Sequence, residues 1–239
     1  MKTVLRPLGV TLLITAASAA ASPAFADWTG KGQAGVVVST GNSESKAGNV
    51  KLAVGETTGP WTNTVGFNAV YAADSVNTTS QRWELLGQTN YKFDAHNYLF
   101  GGLRYEDDRF GGYKSQATLS AGLGHLFIDT ADTKLSGQAG LGFKRTEKRV
   151  PADTVNALAY LGSLDFRHAF NASTTLLDKL SVEATSDNTY AQNELALEVK
   201  MSDKLALAVG YAVRYNSDPP PAFKKTDTLT TVNLVYQVR

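Results

Sequence analysis

Stretches in which apolar and polar residues alternate at every second position recur along this chain from residue 27 to its end. In residues 205–215, leucine, valine and tyrosine occupy the odd positions, whereas alanine, glycine and one arginine occupy the even positions. Residues 117–123 alternate in the same way. Because successive side chains of a β-strand point to opposite faces, a period of two predicts strands with one apolar and one polar face. The chain is therefore predicted to be all-β.

The first 26 residues have the features of a secretory signal peptide. Lys2 and Arg6 form a basic segment, an apolar stretch covers residues 8–21, and Ala24-Phe25-Ala26 is a small-x-small cleavage site. A helix that spans a bilayer needs about 20 apolar residues, so this stretch is too short to span one comfortably. We expect residues 1–26 to be removed as a signal peptide and residues 27–239 to form a single domain.

Composition excludes several classes of protein. Lysine and arginine number 23 against 22 aspartate and glutamate, without the clustered basic face of a nucleic-acid binder. The chain contains no cysteine, which excludes disulfides, cysteine nucleophiles and cysteine-based metal sites. An exported chain of this size without disulfides fits a bacterial envelope β-barrel better than a disulfide-rich secreted domain.

The segments between the predicted strands alternate in length. Five connections are short, such as residues 58–60 and 94–97, and six are mostly longer and more polar, such as residues 107–114 and 216–226. Short periplasmic turns and longer outer loops are typical of transmembrane β-barrels in the bacterial outer membrane. We therefore predict an antiparallel transmembrane barrel of about 12 strands, exported through the periplasm. Ten or fourteen strands stay open, because strand ends are hard to place from a sequence.

Aromatic residues fall near the predicted strand ends in two groups, as expected of girdles at the two membrane interfaces. The group expected near the periplasmic rim is Trp28, Trp61, Phe93, Phe127, Phe170 and Tyr236. The group expected near the outer rim is Tyr71, Trp83, Tyr105, Phe143, Tyr160 and Tyr215. This distribution favours a barrel that crosses a membrane.

Two motifs carry a family resemblance. The segment from Tyr105 to Tyr113, YEDDRFGGY, is followed by Gln116, and Ser39-Thr40-Gly41-Asn42-Ser43 follows the first predicted strand. With these motifs, the chain resembles the salt-induced outer-membrane protein family of Gram-negative bacteria over essentially its whole mature length. The resemblance implies an outer-membrane β-barrel linked to salt or osmotic stress, without an established substrate, cofactor or catalytic residue. The chain ends at Arg239, whereas many such barrels end in an aromatic residue that the barrel-assembly machinery reads.

Most charged residues in the predicted strands share the polar face. The candidate lumen charges are Arg82, Glu84, Arg104, Glu106, Asp108, Lys144 and Arg214. Arginine or lysine facing lipid costs about 2–4 kcal/mol at the membrane midplane, so we expect these side chains to face the lumen. Many other lumen positions are glycine, alanine, serine or threonine, and the room they leave favours a narrow channel over a plugged barrel.

The predicted outer loops carry a second set of candidate residues. Lipopolysaccharide phosphates are candidate ligands of Arg145, Lys148, Arg149, Lys224 and Lys225, and ordinary solvated loops are the alternative. The expected partners are therefore outer-membrane lipid and lipopolysaccharide, with the barrel-assembly machinery during insertion. No nucleic acid and no cofactor are expected, and the oligomeric state stays open.

Catalysis has only weak support. Asp107 and Asp108 are adjacent carboxylates, but neighbouring strand residues point to opposite faces, and we expect a loop in which Arg109 pairs with an acid. His96, His125 and His168 are expected at the periplasmic end, far from these acids, and they lack metal-ligand spacing.

The sequence thus favours a small passive pore or an envelope-integrity protein linked to salt or osmotic stress, and not an enzyme. One alternative is a soluble secreted β-barrel or β-sandwich that binds a ligand with its apolar face turned inward. The other is an outer-membrane hydrolase that uses Asp107 or Asp108.

Overall fold

The computed structural model describes residues 27–40, 45–73, 77–149, 151–219 and 223–238. The predicted signal peptide, residues 1–26, lies outside the described residues and remains a prediction. Arg239 also lies outside them. Within the described ranges every regular element is a β-strand. No helix in these ranges is long and apolar enough to cross a membrane.

Twelve strands follow one another along the chain and contain 11 to 17 residues each. They are β1 (Asp27–Thr40), β2 (Ser45–Thr58), β3 (Trp61–Ala73), β4 (Thr78–Lys92), β5 (Asn97–Asp108), β6 (Tyr113–Asp129), β7 (Thr133–Lys148), β8 (Asp153–Ala169), β9 (Thr174–Ala184), β10 (Thr189–Lys200), β11 (Leu205–Asn216) and β12 (Thr226–Val238). A tilted transmembrane strand needs about 9–11 residues, so all twelve are long enough to cross a bilayer.

Each strand pairs antiparallel with its neighbours in sequence, and β1 also pairs with β12. The closing pairs run from Gly30 opposite Val238 to Thr40 opposite Thr228. The sheet is therefore a closed barrel without a free edge, which satisfies the backbone hydrogen bonds within the sheet. The prediction of an antiparallel barrel with twelve strands is confirmed, and the ten- and fourteen-strand alternatives are excluded.

The barrel places its apolar residues outside. Val65 and Leu119 have 57% and 64% of their surface exposed on the outer face, whereas Glu84 and Lys144 are buried in the lumen. A soluble barrel or sandwich would bury its apolar face, so this arrangement opposes the soluble alternative. It matches instead the alternation of a membrane barrel, apolar toward lipid and polar toward the lumen.

Aromatic side chains form the two predicted girdles. Eleven of the twelve residues assigned to them are exposed, and Tyr105, the exception, packs against the Trp83 ring with centroids 5.1 Å apart. In the other girdle, the Trp61 and Tyr91 rings lie 4.8 Å apart. Such pairs suit the interface between hydrocarbon and water, because the rings are apolar and carry one polar atom.

A polar pair on β9 and β10 interrupts the apolar exterior. Asp178 lies on the outward side of β9, opposite Phe166 of β8 and Leu195 of β10. Its Oδ1 accepts a hydrogen bond of 2.7 Å from Nδ2 of Asn193. The amide thus supplies a partner for a carboxyl that is otherwise surrounded by apolar residues.

The connections at one end, here called the turn end, contain two to four residues, as expected for periplasmic turns. Gly59 occupies the shortest turn with a φ of 56°, a conformation that favours glycine. In the next turn, Asp94 accepts hydrogen bonds from the backbone N–H groups of His96 and Asn97. The Asn97 side-chain amide also bonds Asp94, and these bonds hold the pKa of its carboxyl below the usual value.

The connections at the opposite end, the loop end, contain four to nine residues. They are shorter than the sequence indicated, because the strands extend further in this direction. β5 continues to Asp108 and β6 begins at Tyr113, which leaves four residues between them. Only the connection from β11 to β12, with nine residues, is longer than four.

The lipid-facing assignment can be tested at two adjacent positions of β3. Val65 points outward between the girdle residues Trp61 and Tyr71, whereas Thr64 points into the lumen. We expect Val65→Arg to lower the free energy of unfolding in phospholipid bilayers by about 2–4 kcal/mol, because it places a charge among acyl chains. Urea titration of the reconstituted protein measures this. The control, Thr64→Arg, should cost less than half as much, and equal effects would contradict the assignment.

Candidate functional site: the barrel lumen

All seven predicted lumen charges lie on the inward side of their strands. Arg82 and Glu84 are on β4, Arg104, Glu106 and Asp108 on β5, Lys144 on β7 and Arg214 on β11. The strands place them at the loop half of the barrel, above the short turns. Their alternation with apolar outward residues fixes this orientation.

Arg104 is the centre of the charged groups. Its Nε lies 2.6 Å from Oε1 of Glu84, and its Nη2 lies 2.7 Å from Oε2 of Glu106. Its Nη1 is 3.8 Å from Oε1 of Glu183 on β9, four strands away, so this pair crosses the lumen. The Arg104 side chain is only 14% exposed. Three carboxylates therefore surround one guanidinium, which is charged at every accessible pH.

Further side chains join Arg104 from the opposite wall. Nζ of Lys144 lies 2.9 Å from Oε2 of Glu183, whose same oxygen accepts a hydrogen bond from Thr118. The Tyr190 ring packs against Arg104 and Lys144, with the cations 5.4 and 5.6 Å from its centroid. The Arg104 cluster is defined here as Glu84, Arg104, Glu106, Thr118, Lys144, Glu183 and Tyr190. It fills part of the lumen cross-section with paired charges.

The largest described cavity, about 520 Å³, lies beside this cluster and reaches toward the turn end. Arg104 and Glu183 line one end of it, and Thr64, Gln88 and Ser163 line its walls. Three more ion pairs border the space: Lys31 with Glu198 at 2.5 Å, Lys51 with Glu194 at 3.1 Å, and Lys179 with Asp165 at 3.6 Å. The Lys31 and Lys51 pairs join β1 and β2 to β10, so they too bridge strands that are not neighbours.

The loop half contains smaller spaces. A cavity of about 70 Å³ lies against β1, β2 and β12, and one of about 60 Å³ lies at the mouth near Asp108 and Arg214. Hydrogen bonds cross this mouth. The Tyr113 hydroxyl donates to the Asp218 carbonyl at 3.1 Å, and Nη2 of Arg149 donates to the Asp108 carbonyl at 2.6 Å. The lumen is thus wide at the turn end and narrow at the loop end.

The proposed lipopolysaccharide-binding residues do not form one surface. Arg145 and Lys148 were expected in an outer loop, and this is wrong because β7 extends to Lys148. Lys148 borders a lumen cavity, and Arg149 donates to the carbonyls of Asp108 and Gly111. Arg145 is exposed on the outward side. Lys224 and Lys225 lie in the connection from β11 to β12, whose Lys225 carbonyl accepts a bond from the Asn216 N–H.

The acidic pair has the geometry of a strand end rather than of an acid–base site. Asp108 points inward, and its Oδ1 accepts hydrogen bonds from the N–H groups of Phe110 and Gly111. Arg109 was expected to pair with an acid, but its Nη1 bonds Oε1 of Gln81 instead. Arg82 of β4 lies opposite Asp108 of β5, and both residues line the cavity at the mouth.

The histidines lie at the turn end, away from the acidic pair. The rings of His96 and His125 are 6.2 Å apart, and His125 Nδ1 lies 2.7 Å from Oδ1 of Asn97. Across the described ranges, no group of three or more histidine, cysteine, aspartate or glutamate residues could hold a metal ion. The arrangement brings no histidine to Asp107 or Asp108.

Sequence reasoning did not select several residues that the lumen brings together. These are Lys31, Lys51, Glu183 and Tyr190. For Glu183, the signal was available, because it has the same parity on β9 as Lys179 and Ser181, which line the large cavity. Tyr190 fell within an expected loop, whereas β10 begins one residue before it.

Arg104 can be tested as the centre of the cluster. Arg104→Met leaves three carboxylates near one another without their shared cation, so we expect the free energy of unfolding to fall by about 3–5 kcal/mol. Urea titration of the reconstituted barrel measures the loss. The matched control is Lys31→Met, which removes a single partly exposed pair and should cost about 1 kcal/mol or less. A loss for Arg104→Met no larger than the control's would show that the cluster is not coupled.

Comparison with solved structures places this architecture among outer-membrane barrels. The NanC porin superposes with a TM-score of 0.58 and 11% identity, covering 89% of this chain and 100% of that chain. The KdgM porin gives a TM-score of 0.51 at 12% identity, covering 88% and 99% of the two chains. The translocator domain of the autotransporter NalP from Neisseria meningitidis gives 0.51 at 14%, covering 87% and 88%. At these identities the likeness shows the fold alone.

Sequence comparison gives the family. The chain is 28% identical over 210 residues to the "Uncharacterized protein YdiY" of Escherichia coli (strain K12), covering 86% of this chain and 81% of that protein. A family model described as "Protein of unknown function, DUF481" matches residues 32–238, which is nearly the whole barrel. The chain therefore belongs to the DUF481 family.

Proposed function

We propose that this protein is a passive pore of low conductance in the bacterial outer membrane. The observation that carries the proposal is the polar lumen, with its cavity of about 520 Å³ at the turn end and smaller cavities continuing toward the loop end. Barrels of eight strands are filled by their own side chains and those of sixteen leave a wide channel. Twelve strands give an intermediate lumen, which the Arg104 cluster narrows further.

The charges inside the lumen support weak ion selectivity. Cations and carboxylates both line the lumen. The cations include Lys31, Lys51, Arg82, Arg104, Lys144, Lys179 and Arg214, and the carboxylates include Glu84, Glu106, Asp108, Asp165, Glu183, Glu194 and Glu198. Opposite charges at short distance cancel much of each other's field. A passing ion therefore meets no continuous track of one sign.

The location and the partners are part of the proposal. The predicted signal peptide supports export to the periplasm, and the apolar exterior with two girdles supports insertion into the outer membrane by the barrel-assembly machinery. Arg145, exposed on the outward side near the loop end, is the strongest remaining candidate for contact with lipopolysaccharide phosphates. The weaker candidates are Lys148, Arg149, Lys224 and Lys225. Of these, Lys148 and Arg149 face the mouth of the lumen.

A structural role in the envelope is the second candidate. The ion pairs across the lumen and the hydrogen bonds across the mouth brace strands that are not neighbours. The resemblance to salt-induced proteins supports a link of either role to salt or osmotic stress. An enzymatic role has no comparable support, because the structural neighbours are porins and a translocator, and the acidic pair lacks a nearby histidine.

Planar-bilayer conductance of the purified protein distinguishes the pore from the structural role. We expect discrete steps that are small for a porin and discriminate little between potassium and chloride. Arg104→Ala should raise the step at least twofold, because it removes the side chain at the centre of the narrow half. Asn63→Ala, a change on the outward side of β3, is the control and should leave the step unaltered. A folded barrel that stays silent with and without Arg104 would refute the pore and favour the structural role.

A further inference from the structure

Two asparagines in the lumen have buried side chains without hydrogen-bond partners. Asn49 of β2 is 4% exposed and Asn233 of β12 is 3% exposed. Among the described residues, no partner is found for Nδ2 and Oδ1 of Asn49 or for Oδ1 of Asn233. A buried polar group without a partner is destabilising, so such groups are normally satisfied by water or a ligand.

The two asparagines lie on either side of Gly35 of β1. A Cβ atom at Gly35 would lie 2.3 Å from Oδ1 of Asn233, so any larger residue would collide with the amide. The glycine thus allows the Asn233 side chain to lie close to the barrel wall. Both amides border the cavity of about 70 Å³ at this wall. This cavity, which Gly210 and Thr231 also line, is named the side passage.

The side passage adjoins the other spaces of the lumen. It shares Gln33, Lys51, Asn68 and Glu194 with the cavity of about 520 Å³. It shares Arg82 and Arg214 with the cavity at the mouth. The three cavities therefore follow one another from the turn end to the loop end.

The opposite wall carries the Arg104 cluster. Glu183 of β9 contacts Arg104 of β5 and Lys144 of β7, and Tyr190 packs against both cations. On β8, between the strands that carry Lys144 and Glu183, Ala159 is completely buried. In the loop half, the space beside the asparagines, about 70 Å³, is larger than the cavity of about 40 Å³ that Lys144 lines.

Resting on the proposed pore function, we propose that water and small uncharged polar solutes cross the loop half through the side passage, with Asn49 and Asn233 as its specificity-determining residues. The unpartnered donor of Asn49 and the unpartnered acceptors of both amides replace the hydrogen bonds that a solute gives up on entering a narrow space. The nearby Lys51–Glu194 pair is already neutralised, so it compensates poorly for the dehydration of an ion. The width suits molecules of a few heavy atoms, such as urea and glycerol, and excludes disaccharides.

Single cysteines test the route, because the chain contains none of its own. Asn233→Cys places a thiol in the side passage, and Ala159→Cys places one on the opposite wall as the matched control. Each variant is reconstituted in liposomes and treated with methyl methanethiosulfonate, and intact mass measures the adduct. We expect Asn233→Cys to react at least tenfold faster than Ala159→Cys. A large biotinylated maleimide should label neither variant.

Liposome swelling in urea and glycerol provides the second measurement. Modification of Asn233→Cys should slow swelling at least threefold, while modification of Ala159→Cys leaves the rate unchanged. Heat-modifiable mobility in gels establishes that each barrel is folded, and Asn49→Cys replaces Asn233→Cys if the latter does not fold. Faster labelling of Ala159→Cys, or unchanged swelling after full modification of Asn233→Cys, overturns the route.

The outcomes also separate this inference from the pore function. A wild-type protein that gives ionic steps but does not admit urea or glycerol keeps the pore and overturns the side passage. If the wild-type protein gives no conductance steps and the thiol of Asn233→Cys stays unlabelled, the pore function and the side passage are both overturned. Fast labelling and slowed swelling of Asn233→Cys together support the route. A position with only a structural role would give neither result.

Discussion

The closure of the β-sheet into a ring determines the rest of this structure. Because β1 pairs with β12, no strand leaves its N–H and C=O groups unpaired toward the outside. The outer face can then be apolar, and most polar side chains of the strands lie on the inner face. The lumen thus receives charges from most of the strands within a narrow volume, and their burial is tolerable only if they are paired.

The pairing inside the lumen is extensive but differs between its two halves. In the loop half, Arg104 and Lys144 share Glu183 and pack on one tyrosine, so the loss of one member leaves several others without a partner. In the turn half, the ion pair of Lys31 borders a wide cavity and is partly exposed to it. Buried groups of charge rarely contribute much net stability compared with apolar packing. Their consistent effect is to fix which side chains occupy the lumen.

The sequence was sufficient for the architecture because the relevant signals are local. Alternation with a period of two identifies each strand and its outward face, and the number of connections then gives twelve strands. The same parity placed the seven selected charges inside. The ends of the strands were less accessible, since polar residues near Asp108 and Tyr190 have the composition of loops but continue the sheet.

The partners across the lumen could not be derived from local patterns. The contact between Arg104 and Glu183 depends on the tilt and stagger of the strands, which determine the residues that meet at one height. These quantities follow from the register of all twelve strand pairs together. The side passage at Asn49 and Asn233 is beyond sequence reasoning for the same reason, although the glycine between them is visible in the sequence.

The seam between the first and last strands also has a consequence for how the molecule forms. Eleven strand pairs join neighbours in sequence, but the twelfth joins the two ends of the chain. Contacts between distant residues slow folding, because the entropy of the whole intervening chain is lost before they form. The hairpins can assemble early, whereas the seam is available only when all twelve strands are present. Synthesis of the complete chain must therefore precede closure, and a nascent chain that lacks β12 retains two open edges.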